Sequence, residues 1–309
     1  MSDDFSARLL LARSEIDRDH LGRVAGIDEV LAREGLRVVV LHDGRALLAG
    51  PAQLALLPLA AVPAWELALY LGLTLRDAPD AAAGTPIAAL VVDAQTASDL
   101  EGLWGDLRRI GARLDTRDAG LFTEALALAN WHASYGFSPR TGNPTAPGSA
   151  GWTRLDPDDG RESFPRTDPA IIVGVTDADD RLLLGRNAMW EGNRFSLLAG
   201  FVEPGESLEA AVIREVFEES GIRVADPVYL GSQPWPFPAS IMLGFRARVA
   251  DGASIVGAPD GEEILEVRWF RREELVAALG EILLPGPASI ARAIIEDWYG
   301  AELDDGSRA

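Results

Sequence analysis

Residues 200–222 read Gly-Phe-Val-Glu-Pro-Gly-Glu-Ser-Leu-Glu-Ala-Ala-Val-Ile-Arg-Glu-Val-Phe-Glu-Glu-Ser-Gly-Ile, and this stretch decides the fold. Its first six residues include two glycines and a proline, which predict a loop because neither residue type suits a helix interior. Ser207 is a suitable N-cap for the helix that follows, and Gly221 is a suitable stop. The apolar residues between them repeat at helical spacing and predict a buried stripe: Leu208, Ala211, Val212 and Val216.

Three glutamates share one face of this predicted helix, because Glu215, Glu218 and Glu219 stand at positions i, i+3 and i+4. Their charges repel, and an ordinary helix gains nothing from that. Hard divalent cations that prefer oxygen ligands, Mg²⁺ or Mn²⁺, turn the repulsion into a binding site. A solvated acidic face is the alternative for such a run taken alone. Glu206 in the loop and Arg214 on the helix favour the metal site.

A proline-rich segment follows the helix and reads Ser232-Gln233-Pro234-Trp235-Pro236-Phe237-Pro238-Ala239-Ser240. Prolines that alternate with aromatic residues predict an extended, stiff segment. Out of context, the rings of such a loop would be expected to fill a core. Flat rings with a few polar groups also suit contact with an aromatic ligand.

Residues 200–222 resemble the Nudix box: Gly, five residues, Glu, seven residues, Arg-Glu, an aliphatic, any residue, Glu-Glu, any residue, Gly and an aliphatic. The proline-rich segment resembles the Ser-Gln-Pro-Trp-Pro-Phe-Pro-any-Ser motif of the NADH pyrophosphatase branch of that family. The resemblance implies cleavage of NADH or NAD⁺ at the pyrophosphate, which gives nicotinamide mononucleotide and AMP. It also implies removal of NAD caps from RNA 5′ ends, with two or more Mg²⁺ or Mn²⁺ ions per site.

The resemblance also assigns metal ligands and catalytic groups. The ligands implied are the backbone carbonyl of Ala199 and the side chains of Glu215, Glu218, Glu219 and Glu263. The same four glutamates are the implied catalytic residues. Glu218 and Glu263 are both candidates for the general base, and the sequence does not choose between them.

Substrate contacts are implied for two further groups of residues. They are Gln233, Pro234, Trp235, Pro236, Phe237, Pro238, Ala239 and Ser240 of the proline-rich motif, and Phe201, Phe164, Ile172, Ala291 and Arg108 elsewhere. Phe164 stands where the family usually has a tyrosine contributed across a dimer interface, so the ring remains and the hydroxyl is lost. For Arg108 the match is short, and an ordinary surface arginine is the alternative.

The chain divides into four predicted segments. We expect a Nudix-like α/β domain at 1–130, a connector at 131–166, a catalytic α/β/α sandwich with a mixed sheet at 167–300, and an acidic tail at 301–309. In the first domain, a hairpin at 36–48, a strand at 87–92 and a helix at 121–131 are predicted.

The connector departs from the family, which commonly has a zinc ribbon with two Cys-any-any-Cys pairs here. This chain has no cysteine, and residues 138–141 and 156–160 stand in place of the two pairs. A structural zinc site contributes about 10–16 kcal/mol, so its loss must be offset by packing or by a dimer surface. We therefore predict a degenerate zinc-ribbon connector that binds no zinc.

Charge and hydropathy restrict the partners. With 28 basic and 48 acidic side chains the formal net charge is −20, which disfavours binding of long nucleic acid through its phosphates. We expect contact with the NAD moiety, and at most the first nucleotides, of a capped RNA. No apolar run approaches a membrane span and the N-terminus lacks a signal-peptide plan, so a cytoplasmic protein without a membrane partner is predicted.

Three functions remain to be separated. The first is an NAD(H) diphosphatase, and the second makes NAD-capped RNA the main substrate of the same enzyme. The third is a non-catalytic nucleotide sensor, which the intact set of glutamates disfavours because a sensor does not need every ligand. No feature of the chain separates the two enzymes. A homodimer is expected from the family alone.

Overall fold

The computed structural model describes residues 5–190, 192–259 and 261–306, which form two compact units. The first, here called the box unit, combines the described residues of 1–12, 168–234 and 240–309. The second, the N-terminal unit, combines 13–167 with the short segment 235–239. The proline-rich motif is therefore divided: its first three residues belong to the box unit and its centre belongs to the N-terminal unit.

The N-terminal unit is built on a mixed sheet of eight strands with helices packed on it. The order is β1-β6-β7-β2-β3-β4, with β5 paired to β2 and β8 paired to β3. These strands are β1 Ile16–Asp17, β2 Arg37–His42, β3 Arg45–Gly50, β4 Gln53–Leu54, β5 Leu57–Pro58, β6 Leu67–Thr74, β7 Pro86–Val91 and β8 Leu103–Asp106. The helices are α1 Ile27–Leu31, α2 Ala94–Asp99, α3 Leu107–Ile110 and α4 Thr116–Ser134.

The predicted hairpin, strand and helix of this unit are confirmed. Strands β2 and β3 pair antiparallel through Leu41 and Ala46, and β7 runs parallel to β2. The interior of β2 is buried because its apolar residues face other elements on both sides of the sheet. Helix α4 begins at Asp115, whose side chain accepts a hydrogen bond from the backbone N–H of Asp118.

The connector forms a small sheet of three strands: β9 Ala146–Gly148, β10 Thr153–Leu155 and β11 Glu162–Ser163. Hydrogen bonds link the two segments that stand in place of cysteine pairs. The Ser138 hydroxyl accepts from the backbone N–H groups of Arg140 and Thr141, each at 3.4 Å. The Thr141 hydroxyl donates to Asp156, and the Asn143 amide donates to Asp158 at 2.7 Å. Polar side chains of the chain itself thus tie the connector together.

The box unit has a six-stranded mixed sheet between two helical layers, as predicted. Its order is β15-β16-β12-β13-β17, with β14 paired to β12, and β12 and β16 are parallel. The strands are β12 Asp168–Thr176, β13 Leu182–Asn187, β14 Leu198–Phe201, β15 Val224–Trp235, β16 Ser240–Val249 and β17 Ile264–Phe270. The helices are α5 Leu208–Ser220, α6 Arg272–Ala278 and α7 Ile290–Tyr299.

Alternation along β12 explains the two layers, since successive side chains of a strand point to opposite faces. Ile171 and Val173 pack in one apolar cluster with Val212 of α5. Ile172, between them, packs in a second cluster with Ile294 of α7. Each face of the sheet is therefore covered by a helix.

One local expectation is wrong in part: the proline-rich segment is extended only as far as Trp235. Strand β15 ends at that residue, residues 236–239 form a turn, and β16 begins at Ser240. The backbone N–H of Phe237 donates to the carbonyl of Trp235 at 2.7 Å within this turn. Proline removes backbone donors without preventing a turn, so the composition did not by itself require an extended chain.

Among the helices that the structure describes, none is both long enough and apolar enough to traverse a lipid bilayer.

Candidate active site

Helix α5 presents the predicted carboxylate face. It begins at Ser207, whose hydroxyl accepts a hydrogen bond from the N–H of Ala210 at 3.2 Å, and ends at Gly221 in the left-handed conformation, with φ of 69°. Ala211, Val212 and Val216 are fully buried against the sheet. These contacts fix the rotation of the helix and hence the direction of its glutamates.

Arg214 connects the loop before α5 to the helix. Its Nε atom donates to Glu206 at 3.1 Å, and one terminal nitrogen lies 2.9 Å from both Glu215 and Glu218. The other terminal nitrogen donates to the carbonyl oxygen of Phe201 at 3.0 Å. A guanidinium can make all these contacts because it carries five donors in a rigid plane. Arg214 therefore positions these three carboxylates.

Gly200 allows Glu215 to lie directly against β14. A Cβ atom built on Gly200 would stand 2.0 Å from the carboxyl carbon of Glu215 and 2.1 Å from one of its oxygens, closer than any real Cβ contact. A residue with a side chain is thus excluded at position 200 unless Glu215 moves. The glycine brings this carboxylate beside the residue that follows Ala199, whose carbonyl is a predicted ligand.

The glutamates differ in burial and in electrostatics. Glu219 is only 4% exposed, whereas the side chain of Glu218 is 57% exposed. Burial raises the pKa of Glu215, Arg214 opposes that rise, and the charges of Glu218 and Glu263 add to it. The hydrogen bond from Arg214 lowers the pKa of Glu206. Glu215 therefore experiences the charge of Glu263, which lies far away in sequence.

The box implies that these oxygen donors hold a divalent cation. Within the described residues, no three histidine, aspartate or glutamate side chains are arranged to hold a metal ion. The chemistry of the group nevertheless fits, because carboxylate and carbonyl oxygens are the ligands that Mg²⁺ and Mn²⁺ prefer. The absence of a side chain at Gly200 also agrees with a metal site, because the Glu215 carboxyl group occupies the space that a β-carbon would take there. The individual ligands stay a prediction.

Several predicted substrate residues come together in the box unit. Ile172 is the strand partner of Ala199, and its side chain packs in one apolar cluster with Ala291. Because both side chains are in the core, only their backbone groups can meet a substrate. Gln233 is fully buried and donates to the carbonyl of Ala288 at 3.0 Å, while its amide oxygen has no hydrogen-bond partner among the described residues. Phe201 is 59% exposed.

The turn at the centre of the motif is held within the N-terminal unit. The Asn130 side-chain amide donates to the carbonyl oxygens of Pro236 at 2.9 Å and Pro238 at 3.3 Å. The Arg108 guanidinium lies 4.1 Å from the ring centre of Phe237, and the Phe237 and Trp235 rings meet edge to face at 4.9 Å. Arg108 is therefore exposed to solvent on one side and contacts the turn of the proline-rich motif on the other.

Sequence reasoning missed Asn130, because a single asparagine on a helix carries no signal for a contact with residues more than 100 positions away. The remaining predicted residue of this unit, Phe164, is 67% exposed.

Two family models match the chain. Residues 165–290 match the NUDIX domain, and residues 35–131 match the NADH pyrophosphatase-like rudimentary NUDIX domain. "NAD-capped RNA hydrolase NudC" of Klebsiella pneumoniae is 41% identical over 196 residues, which cover 62% of this chain and 71% of the relative. The chain belongs to the Nudix hydrolases, in their NADH pyrophosphatase branch. The predicted family and fold class are confirmed.

This Nudix protein is also similar to a mycobacterial relative and to a solved structure. The NudC of the same description from Mycobacterium bovis BCG Pasteur is 48% identical over 213 residues. That match covers 64% of this chain and 66% of the relative, so the chain spans slightly less than two thirds of this relative's length. Among solved structures, a NUDIX hydrolase from Nitrosomonas europaea has a TM-score of 0.42 at 21% identity, covering 54% of this chain and 94% of that one.

Proposed function

We propose that this Nudix protein hydrolyses the pyrophosphate of NADH and NAD⁺ to nicotinamide mononucleotide and AMP, and removes NAD caps from RNA. The observation that carries the proposal is the carboxylate face of α5, held by Arg214 and seated against Gly200. The relatives support it, since those of K. pneumoniae and M. bovis are both described as NAD-capped RNA hydrolases. A nucleotide sensor would not need this complete set.

Mg²⁺ or Mn²⁺, when bound, supplies charge neutralisation at the phosphate oxygens and makes a water molecule more acidic. Ala199 through its carbonyl, and Glu215, Glu218, Glu219 and Glu263 through their carboxylates, are the proposed ligands. The chain itself fixes the three carboxylates of α5 before the substrate arrives, because this helix is anchored by its buried stripe and by Arg214. Such preorganisation is the main source of electrostatic catalysis.

One carboxylate must also accept the proton of the water that attacks phosphorus. Glu218 and Glu263 remain the two candidates, because both are exposed and both raise the pKa of Glu215 by their charge. Glu219 is only 4% exposed and so is less accessible to the attacking water, and a ligand role is proposed for it instead. We propose direct attack by water on phosphorus.

Base recognition is proposed for the proline-rich motif. Phe237 and Trp235 offer aromatic surfaces, and Asn130 and Arg108 hold the turn that carries them. The buried amide oxygen of Gln233 is an acceptor suited to the amide N–H of nicotinamide or the amino group of adenine. The family resemblance assigns the same residues to nucleotide contact.

A substrate panel with product identification tests the proposal. The purified chain would be incubated with NADH, NAD⁺, ADP-ribose and a short NAD-capped RNA, in Mg²⁺ and separately in Mn²⁺. We expect AMP and nicotinamide mononucleotide from the dinucleotides, and a 5′-monophosphorylated RNA from the capped RNA. Turnover of ADP-ribose alone would contradict recognition of the nicotinamide half, and cleavage without added divalent ion would contradict the metal site.

NAD-capped RNA as the main substrate is the second candidate, and the printed description of the relatives favours it. Competition between free NADH and a short NAD-capped RNA separates the two candidates. Preferential cleavage of the RNA at equal concentration would make free dinucleotide an incidental substrate.

We further propose a cytoplasmic homodimer in which Phe164 enters the partner's substrate site. Its 67% exposure supports the idea, because a phenylalanine ring gains by burial against a partner. Sedimentation of the chain and of a Phe164→Ala variant, each with NADH turnover, tests this. A monomer with full activity would contradict it.

A further inference from the structure

Arg292 of α7 is a fully buried cation to which the proposed reaction assigns no role. Its exposed fraction is 0%, although arginine is almost never buried completely unless its charge is paired. A buried charge is stabilised only when hydrogen bonds and opposite charges replace the water that it has lost. The partners of this guanidinium therefore show which segments of the box unit it holds together.

Two carboxylates and two backbone carbonyl groups surround the guanidinium. Its Nε atom donates to Glu296, one turn further along α7, at 2.8 Å. One terminal nitrogen donates to Asp305 at 2.6 Å and to the carbonyl oxygen of Pro285 at 3.3 Å. The other terminal nitrogen donates to the carbonyl oxygen of Leu303 at 2.5 Å. The arginine thus joins α7 to the segment before the helix and to the segment after it.

The segment after α7 folds back onto the helix. Gly300 ends α7 in the left-handed conformation, with φ of 92°, and its N–H donates to the carbonyl of Glu296 at 2.9 Å. Leu303 is only 2% exposed, and its N–H donates to the carboxylate of Glu296 at 3.0 Å. These contacts place Asp305, two residues further along, beside the guanidinium of α7.

The segment before α7, residues 285–288, carries part of the proposed base site. Arg292 donates to the first carbonyl group of this segment, and the buried side chain of Gln233 donates to the last one at 3.0 Å. The amide oxygen of Gln233 has no hydrogen-bond partner among the described residues. Ala291, another predicted nucleotide contact, directly precedes Arg292 on the helix. A shift at one end of the segment would therefore change where Gln233 offers its amide oxygen.

We propose that Arg292 and Asp305 are positioning residues for nucleotide binding, which hold the segment 285–288 so that the Gln233 amide oxygen meets the base. The inference rests on the proposed function, because the base site at Gln233 is part of it. Asp305 orients the guanidinium, and the guanidinium holds the backbone of the segment. A hydrogen bond weakens steeply when its distance and angle change, so a small displacement of the segment is enough to reduce affinity.

The alternative is a network that only stabilises the fold. Helix α7 packs in one apolar cluster of the sheet, whereas α5, with the predicted glutamate ligands, packs in the other. Loss of the network should therefore disturb nucleotide binding more than the metal site. A positioning role predicts weaker binding with the chemical step retained. A purely structural role predicts a less stable protein whose folded molecules bind the nucleotide normally.

Asp305→Ala is the variant that tests the proposal. It removes an acceptor of Arg292 from a residue that is only partly buried, whereas replacing the arginine itself would leave two carboxylates without their cation. Asp305→Glu keeps the charge and is the rescue variant. Asp304→Ala is the matched control, since Asp304 is the exposed neighbour, whose carboxylate accepts from the N–H of Gly306 at 3.3 Å.

Three measurements are made on the whole chain and on each variant. NADH binding is followed by fluorescence in EDTA, so that no hydrolysis occurs. Steady-state turnover of NADH in Mg²⁺ gives KM and kcat separately, and urea unfolding gives the stability of each protein.

We expect Asp305→Ala to raise the NADH dissociation constant and KM about tenfold, the effect of losing one hydrogen bond to the base, with kcat nearly unchanged. Asp305→Glu should restore most of the affinity, and Asp304→Ala should bind NADH as the wild type does. A lower urea midpoint with unchanged affinity and KM would overturn the proposal, and so would an equal loss of affinity in Asp304→Ala. Failure of the proposed function would be seen in the wild type itself, as the absence of NADH binding and of AMP release.

Discussion

Two acidic regions of this protein have opposite electrostatics. In the connector, Asp156 accepts hydrogen bonds from the Thr141 hydroxyl and the Asp158 N–H, and the Thr141 bond is the main reason its pKa is lowered. On α5, Glu215 is buried beside other carboxylates, and burial raises its pKa. The first carboxylate is stabilised by donors of its own chain. The second depends on one arginine and on whatever cation the site receives.

The difference helps to separate a structural acid from a functional one. Asp156 stands where the family has a zinc-binding cysteine pair, and hydrogen bonds from neighbouring residues use its lone pairs. Glu215, Glu218 and Glu206 all share Arg214, so their negative charge exceeds the positive charge that the chain provides there. An excess of this kind is the condition for binding divalent cations.

The largest expected effect is on catalysis. Replacement of Glu219 by Gln removes a charge from α5 with little change in volume, and we expect Mg²⁺-dependent release of AMP from NADH to fall by about 100-fold or more. Glu209→Gln is the matched control, since Glu209 is an exposed residue in the first turn of the same helix. Near-normal turnover by Glu219→Gln in a folded protein would refute the assignment of the α5 face.

Glu124 of α4 is a third buried carboxylate, and the size of its pKa shift allows the effect on stability to be calculated. Burial raises its pKa to about 7, one carboxyl oxygen has no hydrogen-bond partner among the described residues, and the other lies 3.5 Å from Arg18. The unfolded chain loses this proton near pH 4.5 and the folded chain near pH 7, so stability should fall as pH rises through that window. At about 1.4 kcal/mol per pH unit, the loss is roughly 3 kcal/mol.

Urea unfolding of the wild type and of Glu124→Gln at pH 5 and pH 8 measures this effect. We expect the variant to be the more stable of the two proteins at pH 8, and to show less of the decline between the two pH values. Equal pH dependence of both proteins would show that Glu124 is already ionised throughout.

The connector carboxylate should behave in the opposite way. Its lowered pKa means that Asp156 stabilises the folded chain above the unfolded pKa, and that this contribution is lost as pH falls through the folded pKa. We expect Asp156→Ala to lower the urea midpoint at pH 7 while NADH turnover per folded molecule stays unchanged. Asp158→Ala, two residues further along and exposed, removes only the bond from Asn143 and should have the smaller effect. A selective loss of turnover would place the connector in the catalytic machinery.

The smallest expected effect is that of a zinc chelator. Thr141 is hydrogen-bonded to both Ser138 and Asp156, and the chain has no thiolate to bind zinc. We therefore expect less than stoichiometric zinc in the purified chain. A zinc-selective chelator should leave the thermal midpoint unchanged. One zinc per chain by elemental analysis would overturn our interpretation of the connector.

The sequence predicted the features that depend on local rules. Ser207 and Gly221 were identified as the ends of α5 because capping and left-handed stops have their own residue types, and the stripe through Val212 follows from helical spacing. The hairpin of β2 and β3 was predicted for the same reason, since Asp43-Gly44 is a turn dipeptide.

Contacts between segments that are far apart in the sequence were harder to predict. Asn130 holds carbonyls of a turn more than 100 residues away, and no local pattern marks it. The turn at residues 236–239 was expected to be extended, because the composition gives the stiffness of a segment but not the direction in which the next strand returns.

Gly200 gives this protein an unusual vulnerability. The carboxyl group of Glu215 occupies the space where any other residue would carry its β-carbon. A single added methyl group at that position would push the acid away from the strand without removing a charge or unfolding a helix. When variants of this protein are sorted by whether their acidic residues are intact, an alanine in place of this glycine would pass as functional although Glu215 could no longer lie against β14.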